Sequence, residues 1–193
     1  MAKPILVTNL EGLLITPEAF MEPHKNVWAE LIKKTGDKTL KKWIGKKDYF
    51  IGVNLAMDKL MPKATREEKT LQVRSWYQEA VIKYIQDNPN CVDKHIADRL
   101  KQLKTKYDLI LLTSSTEKHI DKILSSAGLK RLYDSIVASE TDQEPKKADL
   151  IEVLFAKYGK PKYYLTGKED SETNDIFKNR EVKVISKQDM DSL

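Results

Sequence analysis

The stretch Pro4–Thr16, with the sequence PILVTNLEGLLIT, decides the fold. It begins with an apolar run at residues 5–7, turns polar at Asn9 and Glu11, and breaks at Gly12. A short apolar run that ends in polar residues and a glycine predicts a buried strand whose C-terminal end opens into a loop. In an open parallel sheet, ligands bind in the crevice outside the carboxyl ends of the strands. Asn9 and Glu11 are therefore candidate site residues.

The composition indicates a folded chain of one domain that is large enough to carry a small insert. The chain has 193 residues, of which 40% are hydrophobic and 33% are charged, values typical of globular proteins. No apolar stretch reaches about 18 residues, so we expect no membrane span and no membrane partner. The N-terminus lacks the order of residues that marks a signal peptide, and the single cysteine, Cys91, excludes an internal disulfide and suits a reducing cytosol. These features predict a cytoplasmic protein.

The charge balance is mildly basic, with 34 lysines and arginines against 29 aspartates and glutamates and a net charge of +5. A basic surface can bind nucleic acid. Here the lysines are scattered among acidic residues along helical faces, a pattern typical of solvated helices. Nucleic-acid binding is therefore not favoured, and the oligomeric state is left open by the sequence.

The second feature is a long helical region between the first strand and the next strand candidate. Residues 17–87 carry apolar side chains at helical spacing, which predicts three or four helices, with Gly36 as a stop signal. Thr65 and Glu68 have the spacing of a capping box at the start of the last of these helices. A turn follows at residues 87–90, and the apolar side chains before it are expected to form core.

Beyond that turn, strands and helices alternate. The clearest strand is residues 107–115, YDLILLTSS, and others are expected at 134–139, 162–167 and 182–185, followed by a polar tail at 187–193. Helical segments lie between these strands. Such alternation predicts an α/β fold with a parallel sheet between layers of helices, so polar residues at the strand ends converge on one edge.

In order and spacing, these segments resemble the four motifs of the haloacid dehalogenase superfamily along essentially the whole chain. The run from Asn9 to Leu13 stands where that family has D-x-D-G-T/L, and ILLTSSTEKHI resembles its second motif. The resemblance implies a three-layer, Rossmann-like parallel-sheet core over residues 1–16 and 88–193, with an α-helical cap insert over residues 17–87. It also implies Mg²⁺-dependent hydrolysis of a small phosphorylated metabolite.

The resemblance assigns roles to the first two motifs. Asn9 takes the position of the nucleophilic aspartate and of one metal ligand, and Glu11 takes that of the general acid/base and a second ligand. Thr113 and the backbone N–H of Ser114 take the phosphate-binding positions. A hydroxyl and amide groups near a helix N-terminus can receive an anion without a full positive charge, although a helix cap alone would also explain them.

The third motif of the family is a lysine near a helix start, which neutralises the charge of the phosphate. Lys147 fits the spacing to the helix best, with Lys146 second, and either lysine could instead be a surface charge. A family pattern of Lys-Pro would place the lysine at Glu144, so the assignment stays open between these positions.

The fourth motif supplies two metal-binding carboxylates after a strand. Asp170 and Asp175 have that spacing, and clustered carboxylates suit Mg²⁺. Two other interpretations remain open. In one, Gly167-Lys168 aligns with the family's G-D pair, which would put Lys168 at a metal position. In the other, the acidic residues only favour a helix N-terminus.

Two functional hypotheses follow from the asparagine at position 9, where the family has aspartate. A carboxamide is uncharged, is a poor nucleophile and gives a metal one negative charge fewer, so little or no phosphatase activity is expected. The first hypothesis is a phosphohydrolase in which Asn9 is either an introduced replacement for aspartate or compatible with weak turnover. The second is a natural pseudoenzyme that binds a phosphorylated ligand or a protein partner.

Overall fold

The computed structural model describes residues 3–46, 48–139, 146–167 and 171–193. The strands in these ranges are β1 (Ile5–Thr8), β2 (Asp108–Thr116), β3 (Ser135–Ser139), β4 (Tyr163–Thr166) and β5 (Lys183–Ser186). The helices are α1 (Glu18–Thr35), α2 (Tyr49–Leu60), α3 (Arg66–Asp87), α4 (Lys94–Leu103), α5 (Glu117–Ser126), α6 (Lys147–Tyr158) and α7 (Ser171–Asn179), with 3-10 turns at Lys38–Trp43, Pro89–Cys91 and Lys187–Ser192. None of the described helices has the length and apolar character that a bilayer crossing needs.

The five strands form one parallel sheet in the order β3-β2-β1-β4-β5. The first strand lies at the centre, where Val7 pairs with Ile110 of β2 on one side and with Tyr164 of β4 on the other. Because all strands point the same way, their carboxyl ends meet at one edge of the sheet. The predicted α/β fold with a parallel sheet is confirmed.

Both faces of the sheet are buried, which explains why its strands are continuous aliphatic runs rather than alternating ones. In β2, Leu109 and Leu111 pack into a core with α4, α5 and the end of α3. Their neighbours Ile110 and Leu112 pack into a second core on the opposite face with α6 and α7. The chain therefore has three layers, with the sheet in the middle.

The predicted helices of residues 17–87 are present as α1, α2 and α3, an insert between β1 and β2 with an apolar cluster of its own that includes Trp28 and Met57. The predicted capping box is confirmed at the start of α3. The Thr65 hydroxyl accepts a hydrogen bond from the Glu68 N–H at 3.2 Å, and the Glu68 carboxylate accepts one from the Thr65 N–H at 2.7 Å.

The predicted polar tail at residues 187–193 is more ordered than its composition suggests. Residues 187–192 form a 3-10 turn, and Met190 is only 3% exposed and packs with the core that covers one face of the sheet. A single methionine in a polar stretch has no periodicity that would reveal its burial. The hydroxyl of Ser186 accepts a hydrogen bond from the Asp189 N–H and begins the turn.

Candidate active site

The loop after β1 closes back on itself directly beyond the strand end. Gly12 has φ of +77°, a left-handed conformation that favours glycine, and its N–H donates to the carbonyl oxygen of Ile15 at 2.7 Å. The Asn9 side-chain amide donates to the Glu11 carbonyl oxygen at 2.9 Å. Asn9 and Glu11 are both half-buried, so this tight turn holds them at the carboxyl edge of the sheet.

The end of β2 lies beside this loop and departs from regular pairing. The register of β2 with β3 shifts between Leu112 and Thr116, so residues 113–115 interrupt the ladder. The Thr113 hydroxyl accepts a hydrogen bond from the Ser115 N–H at 3.1 Å, and Ser114 is exposed. Thr116 is the last residue of β2 and directly precedes α5.

A cavity of about 170 Å³ lies at these strand ends. Among the residues that line it are Asn9, Glu11, Thr113, Ser114 and Lys147, which come from the ends of two neighbouring strands and from the first turn of α6. The structure thus gathers five of the predicted site residues around one cavity. The catalytic and binding roles of these residues stay predictions.

Two lysines were candidates for the third motif, and their positions differ. Lys147, the first residue of α6, lines the cavity. Both lysines are exposed, but Lys146 precedes the helix and does not line this cavity. The alternative position, Glu144, lies outside the described residues.

Of the fourth-motif candidates, Asp170 and Lys168 lie outside the described residues. Asp175 is exposed on α7 and is not among the residues that line the cavity. Asn174, one residue earlier, is half-buried, and its side-chain oxygen has no hydrogen-bond partner in the part of the chain that the structure describes. The metal role of Asp175 stays a prediction.

The side-chain oxygen of Asn9 is also buried and lacks a hydrogen-bond donor among the described residues. Buried polar atoms without a partner mark places where water or an ion completes the site. Within the same ranges, no three histidine, cysteine, aspartate or glutamate side chains approach closely enough to hold a metal ion.

Arg74 is a site residue that the sequence analysis did not predict. It comes from α3 in the helical insert and is only 6% exposed. Its guanidinium donates to the carbonyl oxygen of Ser114 at 2.8 Å and to the hydroxyl of Ser139 at 3.3 Å, at the ends of β2 and β3. A buried cation from the insert therefore lies against the predicted phosphate-binding strand end.

A signal for this contact exists in the sequence. Thr70, Arg74 and Gln78 follow one another at a spacing of four, and all three are buried. Residues at that spacing share one face of a helix. A second, polar face on α3 would have predicted that this helix packs against polar groups.

Gln78 extends the same face. Its side-chain oxygen accepts hydrogen bonds from both the N–H and the hydroxyl of Thr116 at 3.1 Å. The Thr116 hydroxyl also lies 2.8 Å from Nδ1 of His119. Burial lowers the pKa of His119, so the neutral ring is favoured in this network.

A larger cavity of about 460 Å³ continues from the first one under the helical insert. The two cavities share the polar residues Glu11, Arg74, Ser114 and Lys147. The rest of the larger cavity is walled mainly by apolar and aromatic side chains from α1, α2 and α3: Phe20, Met21, His24, Val27, Trp28, Leu31, Tyr49, Phe50, Val53, Val73 and Tyr77. The site therefore has a polar floor at the sheet and an aromatic roof in the insert.

Comparison with known proteins places this geometry in a family. The sequence matches the model of the haloacid dehalogenase-like hydrolases over residues 13–185. No curated protein matches it. The comparable solved structures include β-phosphoglucomutase from Clostridium difficile, which is 17% identical with a TM-score of 0.63 over 96% of this chain and 84% of that chain.

Two further solved structures are similar. A haloacid dehalogenase-like family hydrolase from Streptococcus pneumoniae is 15% identical, with a TM-score of 0.61 over 95% of this chain and 84% of that one. A predicted phosphoglycolate phosphatase from Haemophilus somnus is 19% identical, with a TM-score of 0.53 over the same shares. At these identities the likeness shows the fold alone.

Proposed function

The chain belongs to the haloacid dehalogenase-like hydrolase family, and from this premise we propose that it binds a small phosphomonoester at the carboxyl edge of its sheet and hydrolyses it weakly, with Mg²⁺. We further propose that residues 17–87 act as a cap over a core formed by residues 1–16 and 88–193. The observation that carries the proposal is the cavity that Asn9, Thr113, Ser114 and Lys147 line together.

The polar floor suits a phosphate. The lysine in the first turn of α6 supplies a positive charge, and the backbone N–H of Ser114 would supply a neutral donor. Arg74 adds a second cation at the same place. A phosphoryl group is well bound by cations and oriented donors that need no reorganisation when it arrives.

A magnesium ion fits the oxygen atoms of Asn9 and Glu11 at the cavity, where the buried side-chain oxygen of Asn9 has no donor among the described residues. Asn9, Glu11, Asp170 and Asp175 would hold it, and the unpartnered side-chain oxygen of Asn174 is a further oxygen donor nearby in sequence. Mg²⁺ prefers oxygen ligands and keeps several waters. When bound, it supplies charge neutralisation for the phosphoryl oxygens.

Asn9 limits what this chain can do chemically. A carboxamide oxygen is a poor nucleophile, so covalent transfer of the phosphoryl group to residue 9 is slow. Glu11 remains able to carry a proton. Its side chain is one methylene longer than aspartate, however, and a misplacement of about 1 Å can cost about 100-fold in rate.

The hydrogen bond from the Asn9 amide to the Glu11 carbonyl favours a second candidate function, a pseudoenzyme that binds phosphorylated ligands without turnover. An ionised aspartate has no hydrogen to donate and would place a negative charge against that carbonyl oxygen. The amide at position 9 thus stabilises the loop after β1 through a hydrogen bond that an ionised aspartate could not donate.

Phosphate release from a panel of phosphomonoesters with Mg²⁺ tests the proposal on the unaltered chain and on Asn9→Asp. We expect turnover near the detection limit for the former and a large increase for the latter. If Asn9→Asp neither hydrolyses any ester nor binds Mg²⁺, the hydrolase function is excluded. Retained ligand binding by that variant would then support the pseudoenzyme.

Binding of inorganic phosphate, measured by calorimetry, tests the site itself. Lys147→Ala should weaken binding about tenfold or more, because it removes a cation that lines the cavity. Lys146→Ala is the matched control, since it removes the same charge one residue away. Equal effects of the two substitutions would show that only long-range charge matters and would contradict the assigned site.

A further inference from the structure

The larger cavity differs chemically from the polar floor with which it is continuous. Its volume of about 460 Å³ lies in the range of small-molecule sites. Above Glu11, Arg74, Ser114 and Lys147, the walls are mainly apolar and aromatic side chains. A phosphoryl group on the floor would therefore direct the remainder of its ester into the apolar part of the larger cavity under the insert, which we call the chamber.

Two of the polar groups in this part of the cavity are already hydrogen-bonded within it. The Trp28 indole N–H donates to Nε2 of His24 at 3.1 Å, and the Tyr77 hydroxyl donates to the Phe20 carbonyl oxygen at 3.4 Å. A ligand with many hydroxyl groups would lose its hydrogen bonds to water here without replacing them, which disfavours its binding.

His24 lies at the centre of an aromatic cluster. Its ring makes edge contacts with the rings of Trp28, Tyr49 and Tyr77, with centroid separations of 6.3, 5.3 and 6.2 Å. Aromatic rings attract further rings in the same edge-to-face and offset geometries. The cluster is therefore suited to a planar ring.

The charge state of His24 is set by its partner. An indole N–H can only donate, so Nε2 of His24 must accept and the neutral ring carries its proton on Nδ1. Burial also lowers the pKa of His24. Among the described residues that line the larger cavity, the only cationic side chains are Arg74 and Lys147 on the floor, so the roof offers no cation to a second anionic group.

From these observations we infer that the site selects phosphomonoesters of a planar aromatic alcohol that carry no second anionic group. The phosphoryl group would lie on the floor near Lys147, and the ring would lie against His24 in the roof. This inference rests on the proposed function, because it takes the floor to be the phosphate site.

Calorimetry on the full chain with Mg²⁺ tests it with four probes: inorganic phosphate, phenyl phosphate, 1-naphthyl phosphate and glycerol 3-phosphate. We expect both aryl esters to bind roughly tenfold or more tightly than glycerol 3-phosphate, with inorganic phosphate close to the latter. Binding of all the probes with equal affinity would overturn the aromatic selectivity but leave the phosphate site standing. Binding of none of them would overturn both proposals.

A substitution that fills the chamber sharpens the test. Val53→Phe on α2 should reduce 1-naphthyl phosphate binding about tenfold and leave inorganic phosphate binding unchanged. Val153→Phe is the control, because Val153 is exposed on α6 and does not line the cavity. Unaltered aryl binding by Val53→Phe would show that the chamber is a packing gap in the insert and would overturn the inference.

Folding is monitored by thermal unfolding of each variant. If Val53→Phe fails to fold, Val27→Phe on α1 places the same ring in the chamber from another helix. Should both fail to fold, the comparison of aryl and glycerol esters on the unaltered chain decides by itself.

Discussion

A Cβ atom added to Gly167 would lie 2.0 Å from the carbonyl oxygen of Gly12. The chain that leaves β4 therefore passes directly against the loop that follows β1. This contact joins the segment that carries Asn9 and Glu11 to the start of the segment that was predicted to supply the metal ligands after residue 167. No side chain fits between the two backbones, so glycine at 167 is required for their approach.

Gly167→Ala should destabilise the fold and damage the site together. The added methyl group meets backbone atoms that cannot rotate away, and overpacking of this kind costs about 1–3 kcal/mol. We expect a lower melting temperature and weaker binding of inorganic phosphate. Gly36→Ala is the control: Gly36 has φ of +67° and open space around it, so its replacement should cost stability without changing phosphate binding. Phosphate affinity unchanged in Gly167→Ala would contradict the structural coupling of the two loops.

Arg74→Met should weaken the attachment of the helical insert to the sheet. The substitution removes hydrogen bonds from a buried guanidinium to Ser114 and Ser139, and a hydrogen bond of a charged group contributes about 1.5–3 kcal/mol. Chemical denaturation measures the loss. Arg74→Lys should recover only part of it, since an ammonium lacks the planar fork that reaches two acceptors.

The control for this prediction lies on the same helix. Arg66 pairs with Asp58 at the protein surface, where ion pairs contribute about 0–1 kcal/mol. Arg66→Met should therefore change the free energy of unfolding very little. Equal losses for Arg66→Met and Arg74→Met would mean that burial at position 74 does not matter.

Two histidines, the half-buried His24 and the buried His119, should make stability depend on pH. Burial lowers the pKa of His24 and of His119 in the folded chain, whereas the unfolded chain has the ordinary value near 6.5. As the pH falls below about 6.5, the unfolded state binds more protons, so the free energy of unfolding decreases. This decrease stops only below the lowered pKa values, where the folded histidines also become protonated.

Thermal unfolding between pH 8 and pH 5 tests this dependence. Replacing both histidines by glutamine should flatten the dependence on pH in this window. His95→Gln, at an exposed position on α4, controls for the loss of a histidine and should leave the dependence as it is. A steep dependence retained in the double variant would assign it to other groups.

Features set by neighbouring residues could be predicted from the sequence, whereas contacts between distant residues could not. The strands were predictable because a parallel sheet buried on both faces requires runs such as residues 109–112, which are aliphatic throughout. The burial of Arg74 was not, because a cation on an amphipathic helix is ordinarily solvated and its acceptors lie 40 and 65 residues away. The burial of Met190 was not predictable for the same reason, since its side chain packs in a core formed by residues distant in sequence.

The candidate site was predictable where a residue directly follows a strand. Asn9 directly follows β1, Thr113 lies where the pairing of β2 with β3 is interrupted, and the parallel sheet brings these two strand ends together. Asp175 belongs instead to a helix, where a shift of one residue rotates a side chain by about 100°. Spacing alone therefore does not determine whether Asn174 or Asp175 faces the sheet.

The stabilisation that the capping box of α3 provides should depend on pH. Thr65→Ala removes the hydroxyl that accepts from the Glu68 N–H, and loss of such a cap costs about 1 kcal/mol. The hydrogen bonds with Thr65 hold the pKa of Glu68 below its usual value. A carboxyl group whose pKa is lowered by folding stabilises the protein above its unfolded pKa of about 4.5 and loses that contribution as the pH falls through the lowered value.

Glu68→Ala should therefore destabilise the protein at pH 7, and its effect should shrink as the pH falls through the lowered pKa of the folded carboxyl group. Glu67→Ala is the matched control, because Glu67 is an acidic residue of the same helical turn that does not take part in the box. Denaturant unfolding at pH 7 and at successively lower pH values measures both variants. If the two substitutions lower the free energy of unfolding equally at pH 7, the helix dipole rather than the reciprocal hydrogen bonds accounts for the stabilisation by Glu68.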